Sequence, residues 1–75
     1  MKLGWKLRIY RKRLGVGADE LARELGYAAG TSISRRERGE LPMSRVQYAE
    51  AITAVEKIVE RRQAENTPAD VLGNG

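Results

Sequence analysis

Cysteine and histidine are both missing from these 75 residues. Their absence removes disulfides, thiolate zinc sites, a Ser/His/Asp triad and a cysteine nucleophile together. A protein without metal or cofactor is the expectation. Long apolar runs are missing too. Nothing approaches the roughly 20 residues needed to span a bilayer, and the Met-Lys-Leu-Gly-Trp-Lys start lacks the uninterrupted apolar stretch of a signal peptide, so the expected location is the cytoplasm. Size is the third scarcity. A chain of 75 residues allows one domain, whose limited core is either well ordered or shared with a second subunit, and leaves no room for a large catalytic cleft or a separate sensor domain. Catalysis is not expected.

What is present is charge, unevenly spread. The net charge of +4 hides a basic first part: residues 1–45 carry 11 Lys/Arg against 5 Asp/Glu, whereas residues 46–75 carry 3 against 5. A basic patch suits a polyanion, because each phosphate neutralised releases counterions. Charge alone leaves a solvated helix surface equally open.

Helical periodicity organises the chain. Leu3, Leu7, Tyr10 and Leu14 recur at spacings of four, three and four and predict a first helix with that stripe inward, widened or flanked by Trp5 and Ile9. Gly15 and Gly17 end it. A second helix is predicted over about residues 18–25, with Asp19 and Glu20 opposing the positive end of its dipole, Leu21, Ala22 and Leu25 buried, and Gly26 closing it. The third helix starts near Gly30 or Thr31 and ends at Arg38, with Gly39 as its stop and Pro42 barring continuation. Ile33 is its only large apolar residue, so most of its surface must face solvent or a ligand. A connector helix with incidental arginines is the plain alternative.

Arg11, Leu14-Gly15, Glu20-Leu21-Ala22, Leu25-Gly26 and Ile33-Ser34-Arg35-Arg36-Glu37-Arg38-Gly39 together resemble the Xre/Cro type of helix-turn-helix domain of lambda-like phage repressors, over about residues 3–52. The resemblance implies an all-α, compact, lambda-repressor-like bundle of four to five helices, with the third helix in the major groove of double-stranded DNA. It implies that Arg11 pairs with Glu37, tying the first helix to the third. It places base readout on Gly30, Thr31, Ser32, Ser34 and Arg35. Arg35 is the strongest of these, since a guanidinium reaches guanine O6 and N7 with two hydrogen bonds. Phosphate contacts are expected from the backbone at Gly17 and Ala18 and from Arg38 and Arg45, while Arg36 either meets phosphate or is merely solvated. The chain departs from the family in three places. Gly17 and Ala18 stand where a Ser or Thr cap and a phosphate-gripping Gln are usual, Glu40 stands where a basic residue is common, and one extra residue lengthens the turn before Ile33.

Beyond Pro42, Val46, Ala49 and Ile52, then Val55, Ile58 and Val59, predict helix from about residue 44 to 63. Thr53 and Glu56 fit a capping box that would start a new helix, but Ala51, Ala54 and Glu56 favour one continuous helix. The face made by Val55, Ile58, Val59 and Arg62 is the expected interface of a homodimer, two recognition helices about 34 Å apart reading a near-palindromic operator. Closing the monomer core is the alternative use of those residues. The domain is thus expected over residues 1–65, with its C-terminal helix for dimerisation and a disordered tail over 66–75. The leading function is a transcriptional regulator of the phage Cro or repressor kind, in the cytoplasm of a bacterial cell or phage-infected host. The competitor is an antitoxin that binds a toxin partner and represses its own promoter.

Overall fold

The computed structural model describes residues 2–66, and the regular structure among them is entirely helical: α1 (Leu3–Arg13), α2 (Ala18–Leu25), α3 (Gly30–Glu37) and α4 (Arg45–Asn66). The all-α expectation is met. No helix of the described residues is long and apolar enough to cross a membrane. The tail expected over 66–75 lies, from residue 67 onward, outside the described residues.

Helix α3 packs on α2 and α1, and α4 closes the opposite side against the same two helices. Their shared core is Leu7, Val16, Leu21, Ala22, Ile33, Ala51, Ala54, Val55 and Ile58. The inner face of α1 is rotated from the one expected. Gly4, Leu7 and Arg11 are its buried residues, while Leu14 is 37% exposed as the helix cap. A count of apolar residues misses this line because one member has no side chain and another is charged. Gly4 is buried because α1 meets the end of α3 there. A Cβ at Gly4 would run into the Arg36 carbonyl, with its carbon at 2.9 Å and Glu37 Cα at 3.0 Å.

Helix α4 runs unbroken through Thr53, which is exposed in mid-helix. Its start is the real capping box: Ser44 Oγ accepts the Gln47 N–H at 3.1 Å, and Gln47 Oε1 accepts the Ser44 N–H at 2.9 Å. At Thr53 the donors that a cap would satisfy already belong to the preceding turn. The buried line of α4 is Ala51, Ala54, Val55 and Ile58, with Tyr48 and Ile52 packed beside it. Val46 (66% exposed) and Ala49 point away.

This packing corrects the expected dimer face. Val55 and Ile58 are core residues of the single chain, and Val59 packs partly buried against that core. Arg62 reaches back to the loop after α1, donating to the Gly15 carbonyl at 2.8 Å and pairing with Glu20, while Arg61 pairs with Glu24. A small domain needs these apolar groups for its own core, because its few elements supply little else.

Candidate nucleic-acid interface

Helix α3 has two faces of opposite character. Gly30, Ile33 and Glu37 are buried at spacings of three and four, so one stripe of a two-turn helix is spent on the domain. Thr31 and Arg35 are exposed, with Ser32 and Ser34 half-buried on the flanks. An outward surface of hydroxyls and a guanidinium can donate to base edges and phosphates and contributes nothing to the core.

Three contacts hold this helix in place. Ile33 is fully buried. Arg11 grips Glu37 bidentately, Nε donating to Oε2 at 2.8 Å and Nη2 to Oε1 at 2.7 Å, and its Nη1 donates to the Val16 carbonyl at 2.9 Å. Hydrogen bonding to Glu37 pushes the guanidinium pKa further up, against the opposing effect of burial. The third contact is at the helix start. Ala29 offers no side-chain cap; instead Asp19 Oδ1, from the first turn of α2, accepts the Gly30 N–H at 3.0 Å. A Cβ on Gly30 would strike the Asp19 carboxylate and come within 2.7 Å of the Asp19 nitrogen.

These contacts revise several expected roles. Gly30 is buried, with its N–H taken, so it serves the closure of α2 on α3 and the outward residues begin at Thr31. Arg36 is neither plainly solvated nor held out for phosphate. Its guanidinium lies over the Tyr27 ring at 5.1 Å, and its Nη1 donates to the Ser32 carbonyl at 3.3 Å. At the start of α2, Gly17 is exposed and Ala18 half-buried. The Gly17 N–H is already accepted by Glu20 Oε1 at 3.3 Å, which leaves this terminus less to offer a phosphate. Arg38 and Arg45 are exposed at the end of α3 and the start of α4.

Sequence reasoning gave no structural task to Tyr27 or to the Asp19–Gly30 bond. An aromatic in a turn is a visible signal for Tyr27. A cap supplied 11 residues away has no local signature. It also treated Glu40 only as a missing clamp. Glu40 pairs with Arg38, and its Oε1 lies 3.7 Å from Arg35 Nε. Hydrogen bonding and the charge of Arg38 hold its carboxyl below the ordinary carboxylate range, and Glu40 in turn raises Arg38.

A paired-helix unit with a buried anchor face and a polar outer face is the architecture of a helix-turn-helix. Residues 2–65 match the family of the helix-turn-helix domain, and the chain belongs to that DNA-binding class. No curated protein and no solved structure matches it.

Proposed function

We propose that the domain is a sequence-specific transcriptional regulator of the phage Cro or repressor kind, which acts by occupying an operator and has no catalytic role. The observation that carries this reading is the division of α3: Gly30, Ile33 and Glu37 are buried, while Thr31 and Arg35 face outward. A helix so divided enters a major groove with Arg35 toward a guanine and Thr31, Ser32 and Ser34 toward neighbouring base edges or phosphates. Arg38 and Arg45 flank it as phosphate contacts, which fix register without reading sequence. The cytoplasm is the compartment that suits this task.

Homodimerisation on a near-palindromic operator belongs to the same reading, since two short helices double the contacts of one. With Val55 and Ile58 used internally, the outer side of α4, where Val46 is exposed, is the surface assigned to a second copy. The test is selection of duplexes from a random pool by the purified chain, followed by sedimentation on the selected site. The expected result is an inverted repeat bound by two copies. Failure to enrich any sequence would overturn the reading. An antitoxin is the second reading, favoured by the exposed Trp5 and Ile9 on the outer side of α1 among Lys6, Lys12 and Arg13. Such a protein co-purifies with a toxin partner, and a stand-alone regulator does not.

A further inference from the structure

The chain reverses after α3 at Gly39, whose φ of +83° lies in the left-handed region open to glycine. The reversal brings the Glu40 N–H to the Arg35 carbonyl at 2.8 Å and the Leu41 N–H to the same oxygen at 3.3 Å. Glu40 is therefore fixed by backbone bonds against the last turn of α3. Its side chain then meets two arginines. Oε2 accepts from Arg38 Nε, and Oε1 stands at ion-pair distance, 3.7 Å, from Arg35 Nε. Both contacts use the nitrogen nearest the main chain. Neither terminal Nη group of Arg35, the pair that would face guanine O6 and N7, donates a hydrogen bond to Glu40. All three side chains are about half exposed, 49% for each arginine and 48% for Glu40.

We propose that Glu40 is a specificity-determining positioning residue, a carboxylate brace that holds Arg35 by Nε with its outer edge presented to a base. The inference rests on α3 being the reading helix. Bracing has two consequences. On a preferred site the brace is kept, and part of the ordering cost of the long Arg35 side chain is met before binding. On DNA of arbitrary sequence, gaining a phosphate contact requires Arg35 to leave Glu40, and the exposed carboxylate then faces phosphates of like charge. Glu40 thus weakens indiscriminate binding more than it weakens reading. This gives a purpose to an acidic residue on an otherwise basic rim.

The experiment compares the full chain with Glu40→Gln, Arg35→Ala and the double variant on two 20-base-pair duplexes (roughly two helical turns), one of scrambled sequence and one selected from a random pool by the parent. Binding is measured over a salt series, with thermal melting as a check on folding. For Glu40→Gln we expect affinity for scrambled DNA to rise about three- to ten-fold. Affinity for the selected site should change by no more than about two-fold, so that discrimination falls. Repeating the selection with Glu40→Gln should relax the same base step that Arg35→Ala relaxes. In the Arg35→Ala background, the Glu40 substitution should affect both duplexes equally. An equal gain on both duplexes with Arg35 present, or no change on either, overturns the brace. A purely structural role would instead lower the melting temperature and weaken both. If the parent itself enriches no sequence, the reading of α3 fails and the brace fails with it.

Discussion

Two arginine–carboxylate clusters lie at the end of α3, and they differ most in burial. Arg11 and Glu37 have side chains 9% and 1% exposed and meet through two hydrogen bonds. Glu40 meets Arg38 and Arg35 with about half of every side chain in water. The first contact cannot exchange for a solvent ion without opening the core, so it fixes where α3 stands. The second costs little to form or break, because exposed ion pairs are screened by water and salt. In the proposed reading it is therefore available for trading with DNA. The same functional groups serve as a structural tie in one place and, in the proposal above, as an adjustable brace in the other.

The sharpest way to break this comparison is Glu37→Ala. It strands the buried Arg11 charge and is expected to lower unfolding free energy by about 3–5 kcal/mol, measured by urea denaturation. A loss comparable to that of an exposed pair would erase the distinction. Replacing Arg11 with Met and Glu37 with Leu together should restore much of the stability, since an apolar pair carries no desolvation penalty.

Gly30→Ala comes next. The new methyl meets the Asp19 carboxylate and, beside it, backbone of α2 at 2.7 and 3.0 Å that cannot swing aside, and a cost of about 1–3 kcal/mol is expected in the same denaturation experiment. DNA binding should weaken in parallel because the start of α3 is displaced.

Arg35→Ala should leave the melting curve unchanged and remove roughly 1–3 kcal/mol of discrimination at one base step, read by competition among single-base operator variants. Stability loss in this variant would mean that the outer face is part of the core's support.

The smallest effect is on pH. The Glu40 carboxyl lies below its ordinary range in the folded chain, so its contribution is present above that range and is lost as pH falls through its folded value. Because about half of the side chain lies in water, removing it by Glu40→Gln should alter acid unfolding, followed by circular dichroism, only slightly.

Much of the scaffold was legible in the sequence because local rules govern it. Residues 18–25 were read as a helix from one apolar stripe between glycines, and α2 has those bounds. The third helix was read to within a residue of its observed end for the same reason. Its pairing of Arg11 with Glu37 came through resemblance, since nothing in their 26-residue separation announces a contact. The errors fall where small or charged residues line a buried face. Gly4 and Arg11 replaced part of the expected stripe of α1, and Ala51 and Ala54 carried the stripe that had been given to Val46 and Ala49. Alanine and glycine have weak hydrophobic signals, yet they allow the closest helix approaches.

The sequence by itself determined the all-helical character, the placement of the first three helices, the basic N-terminal part and the polar outer surface of α3, because each follows from periodicity, turn residues and charge within a short window. Only the tertiary structure decided which residues that surface keeps. Gly30 went to Asp19, Arg36 to Tyr27, and Val55 and Ile58 to the monomer core. Those assignments depend on what a distant element brings within a few ångströms. A helix-period pattern records that a face is apolar, but not which neighbour covers it.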